Sequence, residues 1–176
     1  MAWRSFLAGL VLALALALPG APAKAADNGD PDFLTIGAGR YDILRNRQPA
    51  AEFRLDYRFH NKWWIFKPFV TAAYDTNGSS FVGAGVLVDI YLGHRWVLTP
   101  QFSPTWWRGK TTKVDLGFPL EFRSRLELAY RFDDRSRLGL SIDHSSNAGF
   151  GDRNPGVEVV MLNYSLPITR ITSLFK

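Results

Sequence analysis

Strict alternation of residue character is the feature that most limits the fold of this chain. Along Ala51-Glu52-Phe53-Arg54-Leu55-Asp56-Tyr57-Arg58-Phe59 every even position is charged and every odd position is apolar or aromatic. Glu121 to Phe132 repeats the pattern, with Ser124 and Ala129 as small exceptions. A period of two means a strand with two chemically different faces. Eight such segments can be drawn, at roughly 32–44, 50–59, 65–75, 80–92, 96–107, 120–132, 136–146 and 156–166, and after Pro31 no stretch reads as an amphipathic helix. Each is close to the ~9–11 residues that cross a bilayer at a tilt. The connections are short around His60-Asn61-Lys62, Gly93-His94-Arg95 and Asp133-Asp134-Arg135, and long from Arg108 to Pro119 and Asn147 to Pro155. Short turns at one end and longer loops at the other are the pattern of an outer-membrane barrel.

The expected fold is therefore all-β, an eight-stranded antiparallel transmembrane β-barrel. Arg54, Asp56, Arg58, Arg123, Arg125, Glu127 and Arg131 would fill its interior as a paired polar core. Trp63, Trp64 and Trp96 fall at the short-turn end and Trp106 and Trp107 at the other, as interfacial girdles do. A soluble sandwich or lipocalin-like barrel also alternates, but it gives no reason for aromatics gathered at strand ends. Pro68, Pro100 and Pro104 lie inside proposed strands, where a missing N–H predicts bulges or other irregularities. Asn77-Gly78-Ser79 matches a glycosylation sequon, but Asn-Gly in a short hairpin loop is better explained by turn geometry.

Composition narrows the class further. The chain has no cysteine, which excludes disulfides and thiolate metal sites. Arg4, the apolar run Phe6 to Leu18, the Pro19-Gly20 break and Ala23-Lys24-Ala25 read as a signal peptide over residues 1–25. The mature domain is then 26–176. Removing Arg4 and Lys24, with no acid, lowers the net charge from +5 to +3, too mild to argue for nucleic acid.

One stretch carries chemistry: Asp143-His144-Ser145-Ser146-Asn147-Ala148-Gly149-Phe150-Gly151-Asp152-Arg153-Asn154-Pro155-Gly156-Val157-Glu158. A serine needs a base to take its proton, and the base needs a group that orients it. Counting parity from the apolar set Leu138, Leu140 and Ile142 places His144 and Ser146 on the outer wall and Ser145 inside. On the next strand Glu158 shares parity with Val160, Leu162 and Tyr164, so it also faces outward. Strands 7 and 8 pair as a hairpin, which brings Glu158 within side-chain reach of His144 and Ser146. A histidine and a carboxylate on a lipid face are costly unless paired and are usually functional. The competing reading is an interfacial polar cluster. His60 and His94 fall at the opposite turns, as solvated residues.

The sequence resembles the PagL family of lipid A 3-O-deacylases. The resemblance rests on Glu121-Phe122-Arg123-Ser124, on Asp143 to Gly149, and on Gly151-Asp152-Arg153-Asn154-Pro155-Gly156 with Glu158. It covers most of the mature chain and is strongest in the last third; the tail after Leu166 matches poorly. It implies an eight-stranded barrel of the bacterial outer membrane that hydrolyses the ester-linked acyl chain at position 3 of the lipid A glucosamine, with lipopolysaccharide as partner and without metal or cofactor. It further implies His144 as base, Ser146 as nucleophile, Glu158 as orienting acid, and Asn147 and Gly149 as oxyanion-hole donors through their N–H groups, with Asn154 supporting the loop. Basic residues Arg108, Lys110 and Lys113 of the long loop are candidates to attract the lipid's phosphates, with a solvated loop as the alternative. Two other classes stay open: a non-enzymatic structural or adhesive barrel, and a lipid A acyltransferase. The sequence also leaves a homodimer open.

Overall fold

The computed structural model describes residues 29–109 and 115–169; the expected signal peptide, Lys110 and Lys113 lie outside these. Nine strand segments follow in order: β1 (Phe33–Tyr41), β2 (Ala50–Arg58), β3 (Lys67–Asp75), β4 (Ser80–Leu87), β5 (Ile90–Leu92), β6 (Trp96–Arg108), β7 (Leu120–Arg131), β8 (Arg137–Ser146) and β9 (Val157–Pro167). Each pairs antiparallel with its neighbours, and β1 pairs with β9 from Phe33↔Pro167 to Tyr41↔Val159, so the sheet closes on itself. Closure removes every free edge, which a membrane requires because lipid offers the backbone no hydrogen-bond partner.

β4 and β5 are two halves of one stave, so the barrel has eight staves. Both halves keep a single register against β6: Leu87↔Gln101 in the first and Ile90↔Leu98 in the second. The break at Val88 and Asp89 lies opposite Pro100 and Thr99 in that register. Pro100 has no N–H to donate to Val88, although its carbonyl accepts from the Val88 N–H at 3.1 Å. The prolines of β6 thus cost a local interruption rather than an inserted residue. Asp89, freed from the ladder, turns inward to Lys67 (2.8 Å), Thr99 (2.9 Å) and Arg137 (2.9 Å).

The alternating pattern folds as its chemistry dictates. On β2, Glu52, Arg54, Asp56 and Arg58 are buried, while Phe53 and Leu55 are exposed on the outer wall. On β7, Glu121, Arg123, Arg125, Glu127 and Ala129 are buried and Leu128 is exposed. Charge buried in the barrel must be paired. Arg123 grips Glu52 bidentately at 2.8 and 3.1 Å, and Arg58 grips Glu127 at 3.0 and 2.8 Å. Arg125 bridges Asp56 (2.6 Å) and Asp143 (3.1 Å), and Arg54 also reaches Asp143. Arg131 sits nearer the end, bonded to Asp30 at 2.9 Å. The segment before β1 closes the short-turn end: Asp30 also binds Arg137 and Tyr91, and Asp32 binds Tyr57 (2.6 Å) and His60.

The core is packed to the limit at places. A side chain at Gly39 would meet the Val160 carbonyl at 2.1 Å. At the other end, Asp75 accepts from the N–H groups of Asn77 (2.8 Å) and Ser79 (3.0 Å), and Gly78 takes a φ of 88°, so Asn-Gly serves the tight turn.

Candidate active site

The outer face of β8 runs Leu138, Leu140, Ile142, His144, Ser146. The first three are exposed and apolar; the polar pair comes at the end of the strand beside the longer loops. Ser145, of opposite parity, is fully buried and accepts from Arg123 Nε at 2.9 Å. In the β8–β9 ladder His144 stands directly opposite Glu158, and His144 Nδ1 meets Glu158 Oε1 at 3.1 Å. On its other flank β8 pairs with β7, placing Ser124 opposite His144 and Phe122 opposite Ser146.

The pair is asymmetric in exposure. The His144 side chain is 51% exposed, that of Glu158 only 12%. Glu158 is covered because the 42–49 connection folds over the start of β9. Arg45 donates to the Pro155 carbonyl and Arg47 to that of Gly156 at 3.3 Å, and the Ile43 N–H donates to the Glu158 carbonyl at 3.1 Å. Gly156 takes a φ of 62°, and a Cβ there would come within 3.2 Å of His144 Cε1. A bare backbone therefore stands beside the Cε1–Nε2 edge of the imidazole, where a side chain would crowd the ring.

Ser146 shares this face two residues along from His144, but among the described residues no hydrogen bond joins its hydroxyl to the imidazole. With Nδ1 committed to the carboxylate, Nε2 is the nitrogen left for the serine. Such contacts are commonly loose without substrate and tighten on binding.

The loop after Ser146 is held by Asn147, itself fully buried. Its side-chain amide donates to the carbonyls of Leu116 (2.9 Å) and Arg153 (2.7 Å), and its Oδ1 accepts from the Gly149 N–H at 2.9 Å. The Asn147 N–H donates to Asn154 Oδ1 at 3.2 Å, and the Phe150 N–H closes the turn on the Asn147 carbonyl at 3.0 Å. Ala148 and Gly149 take positive φ, 54° and 87°. Both N–H groups expected to form an oxyanion hole, those of Asn147 and Gly149, are thus occupied within the loop, whereas the Ala148 N–H makes no hydrogen bond among the described residues. Sequence reasoning quoted Gly156 and Phe122 within the family resemblance but gave them no role, and it did not single out Arg45 or Arg47. Gly156, a glycine two residues before the acid, carried a local signal of its own. No group of three or more potential metal ligands occurs among the described residues.

Comparison with known proteins identifies the family and the fold. The family described as lipid A 3-O-deacylase (PagL) matches residues 31–167. A lipid A deacylase PagL of Bordetella bronchiseptica is 27% identical over 92 residues, a match covering 42% of this chain and 51% of that protein, so the chain spans about half the length of that curated relative. The crystal structure of the outer membrane enzyme PagL superposes with a TM-score of 0.62 at 18% identity, over 77% of this chain and 99% of that one. At that identity the likeness shows the fold, a closed barrel, which together with the family match places the protein in the outer membrane. From residue 31 to residue 167, which takes in the whole barrel and the His144–Glu158 pair, the chain belongs to the PagL family.

Proposed function

We propose that this protein is a serine esterase that removes the ester-linked 3-O-acyl chain of lipid A, with Ser146, His144 and Glu158 as its catalytic groups on the lipid-facing wall. The observation that carries the reading is the 3.1 Å contact between His144 Nδ1 and Glu158 Oε1 on the outer face. A structural barrel gains nothing from a polar pair there, next to a serine of the same parity.

Ser146 Oγ attacks the ester carbonyl while His144 Nε2 takes its proton. Glu158 fixes the imidazole and stabilises the imidazolium that forms. The tetrahedral oxyanion is met at the Asn147–Gly149 turn. The Ala148 N–H is available at once, and that of Asn147 can exchange its 3.2 Å contact with Asn154 for the developing charge. Gly149 and Asn154 then act by shaping the turn. Collapse expels the sugar oxygen, which takes the proton from His144, and water attacks the acyl-enzyme with His144 again as base. The lipid needs no passage into the barrel: it lies against the wall and presents its ester at the rim on the side of the longer loops. Arg108, exposed at the end of β6, is placed to meet the lipid's phosphates.

Mass spectrometry of lipid A from cells with and without the protein tests this. Loss of one 3-hydroxyacyl chain is expected, abolished in Ser146→Ala and His144→Ala and retained in Ser145→Ala. An unchanged lipid A points to a structural barrel, and a gained chain to a transferase. A dead Ser145→Ala beside an active Ser146→Ala moves the nucleophile inside the barrel and overturns the proposal.

A further inference from the structure

The two flanks of Ser146 differ in chemistry. Toward β9 lie the Glu158 carboxylate and the guanidinium groups of Arg45 and Arg47 on the carbonyls of Pro155 and Gly156. Toward β7 the neighbour is an aromatic ring, since Phe122 pairs directly with Ser146. Phe122 stacks on Phe102 of β6, with centroids 6.1 Å apart and planes 11° apart. On its upper side it meets Phe150, 5.9 Å away, which in turn lies 6.3 Å from Phe118. Phe150 is 65% exposed although it belongs to the loop rather than to the membrane-facing strands. A strip of four rings therefore passes beside the nucleophile, from the loops down onto the wall.

β7 adds a second feature. Its outward residues are Leu120, Phe122, Ser124, Leu126, Leu128 and Tyr130, and Ser124 is the one small side chain among them. In register, Ser124 lies between His144 on β8 and Phe102 on β6. By side-chain length alone this leaves a dip in the wall one step below Phe122, directly beside the proposed catalytic face.

We propose that the acyl chain cleaved from the lipid lies on the β6–β7 side, passing from Ser146 over Phe122 into the dip at Ser124 beside Phe102, with Phe150 closing it from above. The sugar then rests on the charged β9 side. The proposal rests on the esterase reading above and adds where chain length is sensed. The physical reason is that an apolar chain laid over Glu158 and the arginines would strip water from charges without replacing it, whereas the aromatic strip gives it contact at no such cost. A second apolar depression exists on the wall, around Ala38, Phe53 and Leu162. It lies to the side of the nucleophile: its lining runs over β1 to β4, reaches β9 only at Leu162 and below, four residues down from Glu158, and includes neither His144 nor Ser146.

The test measures kcat/KM of the detergent-folded protein on two glucosamine phosphate lipids that carry a tetradecanoyl or a hexanoyl ester at the 3-oxygen. The ratio of the two cancels any loss that merely weakens catalysis or folding. Phe122→Ala is expected to lower the long-to-short ratio about tenfold, the loss of a few buried methylenes' worth of contact. Phe150→Ala, on an exposed loop where folding is not at risk, lowers it in the same direction by a smaller factor. Ser124→Leu fills the dip and also lowers it. Ala38→Trp fills the other depression and leaves the ratio within twofold. A ratio untouched by both phenylalanine variants, or one that falls with Ala38→Trp instead, overturns the proposal while the esterase reading stands. Absence of hydrolysis of either ester by the wild-type protein overturns both.

Discussion

Replacing Glu158 by glutamine removes a charge and keeps the shape, so the rate loss reports how much the carboxylate stabilises the imidazolium. Nδ1 and Oε1 are 3.1 Å apart, and Coulomb attraction between unit charges at about 4 Å is ~1 kcal/mol in water and ~4 kcal/mol at the effective dielectric near a protein surface. The Glu158 side chain is 12% exposed and that of His144 51%, so the site lies between these limits. With ~1.4 kcal/mol for each factor of ten, the bounds are about fivefold and about 10³-fold, and a loss near 10² is expected. That is smaller than the ~10⁴ of a protease triad whose acid is buried. The assay is single-turnover loss of the 3-O-acyl chain from lipid A by detergent-folded protein, with heat-modifiable gel mobility as the folding control. A Glu158→Gln rate within twofold of wild type would show that the contact is not catalytic. A loss as complete as that of Ser146→Ala would show that the pair is far less screened than its exposure implies.

Three further expectations follow from named contacts. Gly156→Ala must hold φ near 62° and push against His144 Cε1, so activity should fall at least tenfold while the barrel still migrates as folded; full activity would show that the ring has room to move. Leu140→Arg, at an outward position 61% exposed between Leu128 and Leu162, should destabilise the barrel by roughly 2–4 kcal/mol in bilayer unfolding experiments. A cost below about 1 kcal/mol would mean that this face does not meet the lipid core. Burial pushes the Asp30 carboxyl up, but Arg137, Tyr91 and Arg131 outweigh it and hold it below the usual carboxylate range. Its contribution is therefore present above the unfolded-state pKa of about 3.9 and is lost only as pH falls through the lower folded value. The stability gap between wild type and Asp30→Asn should stay constant from neutral pH to about 4 and close below it, and closure already near pH 6 would contradict the assignment.

Parity is a local property, and it carried most of what could be read from the chain. Each residue's side of the wall follows from counting by two along a strand, because successive side chains point to opposite faces. That count alone placed His144, Ser146 and Glu158 outward and Ser145 inward. The hairpin between β8 and β9 brought His144 opposite Glu158 for the same reason, 14 positions apart in sequence. Tertiary structure decided what local rules do not reach. The break at Val88 and Asp89 depends on Pro100 standing across the ladder. The cover over Glu158 depends on Arg45 meeting Pro155, 110 residues away. The occupied N–H groups of Asn147 and Gly149 follow from how one loop folds on its own side chains. The aromatic strip joins Phe102, Phe118, Phe122 and Phe150 from two strands and two loops. A strand's faces are set by its own backbone, whereas a loop's shape is set by whatever it lands on, and here the loops finish the site that the strands begin.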